Sequence, residues 1–390
     1  MNTIKKWPQR LYALDVSRGV AAVAVVFWHW QHFAYQRNKI SPEFIRHDQP
    51  FYTLFKLFYE NGSMGVQYFF ILSGFIFFWL YKERIENRDI GALDFSFQRF
   101  SRLYPLHIVT LILVTILQLI YICRENISFV YPYNDLYHFI LNLFFASKWG
   151  FEKGWSFNAP IWSVSIEILL YVIFFITAFS RSGTWFFCLF ASITMGKLTI
   201  HHPVVGGASM FFLGGFSYYV SKYFLKKACW VQYLIITASF LAWLLVILNN
   251  YAFNVKNLFL SNVPQLSFII NNFPCYILFP LTVICLCLIE VNKGSFLKKI
   301  SWVGDITYST YLLHFPLQIV FGLFVSFGYL NFNFYKSPIS LIVFFSILIS
   351  ISYFTYNKFE RPMQLLLRKK YYNIKAQQNA AGRPGELAAS

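Results

Sequence analysis

Charged residues are scarce in this sequence, and acidic residues are scarcer than basic ones. Only 13% of the 390 residues are charged, with 16 Asp and Glu against 33 Lys and Arg. A soluble domain of ordinary composition carries about a quarter charged residues. Hydrophobic residues make up 57% of this chain instead, in long apolar runs that recur from end to end. The shortage of charge excludes an ordinary soluble protein and predicts a polytopic membrane protein.

Cysteine is also scarce, and its positions are scattered. The six cysteines lie almost entirely within apolar runs, and none is spaced with histidines as in a metal site. They are Cys123, Cys188, Cys229, Cys275, Cys285 and Cys287. Such cysteines behave as small apolar side chains. We therefore expect no disulfide framework and no metal site.

Ten apolar stretches are long enough to cross a bilayer as helices. They lie near residues 13–34, 64–82, 104–123, 161–179, 184–200, 204–223, 229–249, 273–291, 306–328 and 338–357. Most Lys and Arg residues fall in alternate loops and in the terminal segments. Because basic loops mark the cytoplasmic side, both termini are predicted to be cytoplasmic. The predicted fold class is all-α, a transmembrane helical bundle of about ten spans.

The net charge of +17 comes from the basic loop residues, which set the orientation of a membrane protein. It predicts the bilayer as a partner and does not indicate nucleic acid. We expect one transmembrane domain over residues 1–370, whose first span is retained rather than cleaved as a signal peptide. The small polar residues of 371–390 predict a disordered cytoplasmic tail.

The first predicted span carries ionisable residues that lipid would not tolerate. Arg18 and His29 are eleven residues apart, so both lie on one helix face, about 16 Å apart along the axis. Asp15 and His32 extend the same stripe. Ionisable groups within spans are costly and usually face a partner or a cavity. His29 is therefore a candidate catalytic base, and Arg18 a candidate catalytic or donor-binding residue that could equally pair with Asp15.

Three further groups of residues are candidates for function. Arg99 and Arg102 share a helix face at the cytoplasmic end of the third span, where they could grip phosphates or simply anchor the helix. Glu167 lies in an apolar span beside Trp162 and could orient His29 or pair with Arg18. His314 precedes Pro316, which frees a backbone carbonyl, and is either structural or channel-lining. The dipeptide Ser73-Gly74 suits close approach of two helices.

Six motifs, in this order along residues 11–365, resemble the acyltransferase-3 family of integral-membrane acyltransferases. They are LDVSRGVAAVAVVFWH, FFILSGFIF, RFSRLYPLH, WSVSIEILLY, GDITYSTYLLHFP and FERP. The Arg-x-x-Arg-x-x-Pro element falls at Arg99, Arg102 and Pro105. One departure is an aliphatic residue after Glu167, where members of the family often carry a polar one.

The resemblance implies an enzyme of the bacterial cell inner membrane that takes an acyl group from cytoplasmic acyl-CoA, most commonly acetyl-CoA. The group passes to a hydroxyl of an extracytoplasmic glycan or glycolipid, such as lipopolysaccharide O-antigen or exopolysaccharide. The family's functional residues correspond to Arg18, His29, Arg99 and Arg102. We add Glu167 as a catalytic candidate, and His32, Trp162 and His314 as substrate-binding candidates.

Two other classes of protein remain open from the residues alone. A glycolipid or polysaccharide transporter or flippase could use His29, Glu167 and Arg18 as a proton relay. The chain shows no internal repeat of the kind common in transporters. A structural subunit of an envelope assembly would tolerate loss of His29 without chemical consequence. The sequence does not identify the acyl group, the acceptor sugar or the oligomeric state. It also does not decide whether a histidine acts as a base or forms an acyl-histidine.

Overall fold

A computed structural model describes residues 7–36, 39–179, 202–253 and 272–381, together with 184, 187–189 and 191–193. Most of these residues are helical. The helices are α1 Tyr12–His29, α2 Tyr52–Asn61, α3 Gly65–Glu86, α4 Ala92–Glu125, α5 Leu136–Leu143, α6 Trp162–Ala178, α7 Pro203–Phe224, α8 Cys229–Leu248, α9 Phe279–Lys293, α10 Trp302–Asp305, α11 Thr307–Ser326, α12 Pro338–Thr355 and α13 Arg361–Ala381. A two-residue antiparallel pair, β1 Tyr35–Gln36 and β2 Lys39–Ile40, follows α1. The predicted all-α fold class is confirmed.

Eight helical segments of the described residues are long and apolar enough to cross a membrane. They are Tyr52–Glu86, Ala92–Glu125, Ala159–Ala178, Pro203–Phe224, Cys229–Ala252, Pro274–Lys293, Thr307–Ser326 and Pro338–Gln378. Each contains all or most of one predicted span. The first predicted span forms α1, whose ionisable residues keep it out of this group. Most of the predicted span 184–200 lies outside the described residues, so the count of ten stays a prediction.

Helices α3 and α7 pack closely because glycines meet backbone at their crossing. A Cβ at Gly74 would overlap the carbonyl oxygen of Phe211, and one at Gly214 would overlap that of Ile71. Small residues let two backbones approach in this way where lipid offers no hydrophobic driving force. The predicted close approach at Gly74 is confirmed.

Helix α1 lies among α2, α3, α9, α10 and α11, and its first turn is held by charged groups. The Glu290 carboxylate on α9 accepts hydrogen bonds from the backbone N–H groups of Tyr12 (2.9 Å) and Ala13 (2.6 Å). These N–H groups have no partner within the helix, so Glu290 serves as a cap supplied from another helix. Arg10 bridges Asp15 on α1 (2.5 Å) and Asp305 on α10 (2.6 Å). The position of α1 is thereby fixed at one end.

The C-terminal helix α13 runs to Ala381, so residues 371–381 are helical where the sequence predicted a disordered tail. The reason is tertiary contact with α4. Lys375 forms an ion pair with Asp94 (2.6 Å), and the Tyr371 ring stacks on Phe97 at 4.2 Å between centroids. Amino-acid composition alone does not predict these contacts with α4. Residues 382–390 lie outside the described part of the chain.

Candidate functional site

His29, the last residue of α1, lies against His314 of α11. Its Nδ1 is 3.1 Å from Nε2 of His314, and the two rings stack with centroids 5.0 Å apart. Both side chains are buried, His314 completely and His29 with 8% of its surface exposed. The sequence placed both residues among the site candidates, and the structure brings them into direct contact.

The hydrogen bonds around this pair determine where the protons lie when both rings are neutral. Nδ1 of His314 is 2.7 Å from the carbonyl oxygen of Tyr311, which can only accept, so this nitrogen carries the hydrogen. Nε2 of His314 is then an acceptor, and Nδ1 of His29 must donate to it. Nε2 of His29 is left with a free lone pair. Within the described residues no protein group hydrogen-bonds to that nitrogen, so it is available as a base or nucleophile.

His32 joins the pair through Gln318. Its Nδ1 donates to Oε1 of Gln318 (3.0 Å), and Nε2 of Gln318 donates to the carbonyl oxygen of His29 (2.9 Å). The His29 and His32 rings are 4.7 Å apart between centroids, and the Tyr131 hydroxyl donates to Nε2 of His32 over 3.4 Å. Gln318 and Tyr131 were missed in the sequence. Gln318 could have been found, since it follows His314 by four residues on an apolar helix and so shares its face.

Pro316 shapes α11 beside the histidines. It cannot donate to the carbonyl of Leu312, four residues before it. That carbonyl accepts a hydrogen bond from Nδ2 of Asn158 at 3.0 Å, just before α6. The Tyr311 hydroxyl donates to the Pro160 carbonyl (2.8 Å) in the same segment. The carbonyl freed by Pro316, as the sequence predicted, thus ties α11 to the start of α6 and fixes the backbone that carries His314.

Arg18 lies near the opposite end of α1 from His29 and is held by protein groups. Its Nη2 pairs with Asp15 (3.1 Å) and donates to the carbonyl oxygen of Gly304 (2.8 Å), while its Nε is buried without a partner. Arg102 is among its charged neighbours. Arg18 therefore clamps α1 onto α10 and does not touch His29. We call this end of the bundle the Arg18 end, and the other the His29 end.

Arg99 and Arg102 lie at the Arg18 end and differ in their bonding. Arg99 donates to the Tyr81 hydroxyl (2.5 Å) and stacks over the rings of Phe77 and Tyr81, both about 5 Å away. Arg102 is half-buried and makes no hydrogen bond or ion pair within the described residues. Glu360 and Glu167 are its acidic neighbours. The donors of Arg102 are thus free for a ligand.

Glu167 belongs to this arginine group. Its Oε1 accepts a hydrogen bond from the Ser73 hydroxyl at 2.5 Å. The ring nitrogen of His29 that Glu167 was expected to orient is bonded to His314 instead. Among the described residues, the orienting partner of His29 is therefore an imidazole from α11.

Polar side chains along α11 connect the two groups. Tyr308, Tyr311 and His314 follow at three-residue spacing, and about 9 Å of helix separates the first from the last. Tyr308 has Arg102, Glu167 and Glu360 as charged neighbours, and its hydroxyl donates to the Leu103 carbonyl (2.8 Å). The other end of the series is the His29–His314 pair. A polar line thus runs through the bundle from Arg102 to His29.

A group of aromatic rings lies next to the histidines at the His29 end of the bundle. The Tyr131 ring lies 5.6 Å from His32 and 6.5 Å from Trp155, between centroids. Trp155 meets Trp162 at 6.1 Å, and 43% of Trp155 is exposed. The ammonium of Lys148 lies 4.4 Å above the Trp155 ring. Trp162, a predicted substrate-binding residue, therefore belongs to a ring group that begins at the surface and ends at His32.

The loop that carries these rings is fixed by His138 and Asp135. The His138 backbone N–H and Nδ1 both donate to Oδ1 of Asp135 (2.9 Å each), which caps α5. These donors hold the pKa of the Asp135 carboxyl below its usual range. Nε2 of His138 accepts from the backbone N–H of Lys153 (3.1 Å). His138 thus joins two parts of the loop beside the site.

No group of three or more His, Cys, Asp or Glu residues in the described part of the chain is arranged to hold a metal ion. His29, His32 and His314 have six ring nitrogens, and five of them are hydrogen-bonded to another imidazole, Gln318, the Tyr311 carbonyl or Tyr131. The guanidinium groups of Arg99 and Arg102 are of the kind that bind phosphate oxygens.

Comparison with known proteins places the site in a family context. A family model described as an acyltransferase domain matches residues 11–357. Protein 2 in the picA locus of Rhizobium radiobacter is 30% identical over 133 residues, 34% of this chain and 57% of that protein. Acyltransferase MdmB of Streptomyces mycarofaciens is 29% identical over 168 residues, 42% of this chain and 38% of that protein. The chain thus matches about half the length of these relatives or less, and no solved structure matches it. The match to the family model covers most of the sequence, and the chain belongs to the acyltransferase-3 family of membrane acyltransferases.

Proposed function

We propose that this protein is an acyl-CoA-dependent O-acyltransferase of the bacterial inner membrane. It moves an acyl group, acetyl in the first instance, to a hydroxyl of an extracytoplasmic glycan or glycolipid such as lipopolysaccharide O-antigen or exopolysaccharide. The observation that carries the proposal is the free Nε2 of buried His29, held by His314 at the far end of a polar line from Arg102.

Charge supports an orientation with the Arg18 end in the cytoplasm. Helix ends that reach this side carry Arg99, Arg102, Lys222, Lys293 and Arg361. Basic residues mark the cytoplasmic face of membrane proteins. The acyl-CoA phosphates would then meet Arg102 directly from the cytoplasm, while His29 lies in the outer part of the bundle.

Arg102 would bind the acyl-CoA through its free N–H groups. A guanidinium binds phosphate oxygens through paired, charge-assisted hydrogen bonds. Arg99, stacked and bonded to Tyr81, adds positive potential but has fewer free N–H groups. The pantetheine arm would follow Tyr308 and Tyr311 along α11 and bring the thioester to His29.

The transfer step uses His29 as the base. Its Nε2 takes the proton of the acceptor hydroxyl as the hydroxyl oxygen attacks the thioester carbonyl. The carbon–sulfur bond then breaks, and the proton passes from His29 to the departing CoA thiolate. The neutral imidazole is restored. An acyl-imidazole formed on the same nitrogen is the alternative order of events.

The acceptor would approach from the opposite face, over Tyr131, Trp155 and Trp162. Aromatic faces give sugar rings apolar contact, and the ammonium of Lys148, paired with Glu152 (2.9 Å), lies beside them. These rings lie within the outer loops, next to the histidines.

Membrane vesicles of both orientations test the donor and the direction of transfer. Acetyl-CoA labelled in the acetyl group is added outside inverted vesicles, whose cytoplasmic face is exposed, and outside right-side-out vesicles. The proposal predicts label in glycan inside the inverted vesicles only. Labelled glycan from right-side-out vesicles would contradict the orientation. Absence of label from both, with extracted host glycan present, would contradict acetyl-CoA as the donor.

A further inference from the structure

A cavity of about 690 Å³ lies beside α1, on a different face from His29. Ser17, Ala21 and Ala24 of α1 line it. Ala24 precedes His29 by five residues, which places it about 140° around the helix. The cavity therefore does not belong to the donor path along α11. Its other walls come from the start of α3 and from α8 and α9.

The walls of the cavity present apolar surface because their polar atoms are bonded to one another. The Tyr68 hydroxyl donates to Oγ of Ser17 (2.7 Å). Nε1 of Trp243 donates to Oγ1 of Thr282 (2.8 Å), which donates to the Leu278 carbonyl (2.7 Å). Within a bilayer such a cavity suits an apolar chain and offers little to water.

Polar groups collect at the His29 end of the same cavity. Nζ of Lys56 donates to the carbonyl oxygen of Asn250 (2.7 Å) and keeps two further N–H donors. Nδ2 of Asn250 is buried and has no hydrogen-bond partner among the described residues. Glu60 also lines the cavity, and its carboxylate accepts from the Tyr52 hydroxyl (2.5 Å). Two groups of donors, Lys56 and the Asn250 amide, therefore face a ligand at this end, which favours an anionic head such as a phosphate.

Trp28 lies next to both this end of the cavity and His29. Gly62 lines the cavity, and a Cβ placed on it would lie 3.0 Å from Cβ of Trp28. The Trp28 ring lies 4.9 Å from the His29 ring between centroids. Trp28 therefore joins the cavity wall to the histidine pair at this end of the bundle.

We propose that this cavity binds the lipid chain of the acceptor, with the lipid phosphate at Lys56 and Asn250. The inference rests on the proposed function and names its acceptor as a lipid-linked sugar. In this arrangement the lipid chain lies beside α1, between α8 and α9. The sugar attached to the phosphate reaches Nε2 of His29. The acyl-CoA and the lipid chain then occupy opposite sides of α1.

Two variants fill the cavity from different walls. Ala24→Phe projects from α1, and Val246→Trp projects from α8, which packs at the periphery of the bundle. Ile116→Trp on α4 is the matched control, since Ile116 is 51% exposed on a surface away from the cavity. Decaprenyl phosphate serves as the lipid probe, and dioleoylphosphatidylglycerol represents ordinary bilayer lipid. Native mass spectrometry of the purified full chain measures binding of each.

The proposal predicts one decaprenyl phosphate bound to wild type and to the control, and binding at least tenfold weaker in both cavity variants. Acyl transfer to a polyprenyl-linked sugar should fall at least tenfold in those variants, while transfer to the matching water-soluble glycoside stays within twofold of wild type. Unchanged binding in both variants would overturn the proposal, as would equal affinity for the two lipids. An equal fall in transfer to both acceptors would also overturn it.

Failure of the proposed function would look different. Wild type would then transfer no acyl group to either acceptor, although the cavity variants still weakened lipid binding. That result would overturn both the role of the lipid as acceptor and the proposed enzymatic function. The cavity would still be a lipid-binding site, but not one for an acceptor.

Discussion

The ring of His314 controls which nitrogen of His29 carries a hydrogen. Its own Nδ1 is committed to the Tyr311 carbonyl, so its Nε2 can only accept from Nδ1 of His29. Both rings are buried, which limits the access of water to this bond. In the proposed mechanism His314 prepares the reactive nitrogen of His29 without touching substrate, so we propose that His314 is a positioning residue.

Replacement of His314 tests this role. His314→Ala should lower kcat about ten- to a hundredfold, the usual cost of losing a group that orients a reactive histidine. His314→Gln should recover part of that loss, because its Oε1 can accept from Nδ1 of His29. The measurement is kcat and KM for acyl-CoA, with KM expected to change little. Equal losses in the Ala and Gln variants would contradict a role of His314 as hydrogen-bond acceptor for His29.

A second residue-scale prediction concerns the donor. Arg102→Ala should raise KM for acyl-CoA about ten- to a hundredfold, since a hydrogen bond to a charged group contributes about 1.5–3 kcal/mol. Arg124→Ala makes the same change at the His29 end and should leave KM within twofold. Steady-state kinetics in detergent measure both. A lower kcat with unchanged KM in Arg102→Ala would remove this residue from donor binding.

The helical period was enough to place Arg18 and His29 on one face, but not to name their partners. Arg18 meets Asp15, which the sequence allowed because the two are three residues apart. His29 meets His314, which is 285 residues away. Such a pairing depends on which helices become neighbours, and no local pattern contains that information. For the same reason the sequence offered His29 or Arg18 as the partner of Glu167, an isolated carboxylate, and did not indicate Ser73.

At the scale of elements, glycines set the distance between α3 and α7. Gly74→Ala should lower the free energy of unfolding by about 1–3 kcal/mol, because its Cβ must displace the Phe211 backbone. Gly91→Ala is the control, since the nearest atom to a Cβ there is a side-chain oxygen of Asp94 at 3.8 Å. Unfolding in a denaturing detergent measures both. Similar stability in the two variants would mean that the helices can separate without cost.

The boundaries of most elements followed from apolar runs, whereas the end of α13 did not. Residues 371–381 lack an apolar run and are polar enough to read as a tail. They are helical because Asp94 and Phe97 of α4 supply an ion pair and a stacked ring. Helix stability of this kind comes from tertiary packing rather than from local propensity. Single-sequence reasoning cannot supply it.

At the scale of the whole molecule, the account requires the Arg18 end in the cytoplasm. Two native cysteines report on this, since Cys123 near the His29 end of α4 and Cys229 at the Arg18 end of α8 are both exposed. A membrane-impermeant maleimide applied to intact cells should label Cys123 and not Cys229. Cys123→Ala and Cys229→Ala identify the labelled site. Labelling of Cys229 in intact cells would invert the proposed topology.

The most direct test of the central claim is acyl transfer by His29→Ala at equal expression and equal monodispersity. Vesicles are supplied with labelled acetyl-CoA and extracted host glycan, and the label in the glycan is counted. The account predicts label with wild type and a loss of at least about a hundredfold with His29→Ala, the lower limit of the usual contribution of a general base. Equal label from both proteins would contradict it and remove His29 from the chemistry.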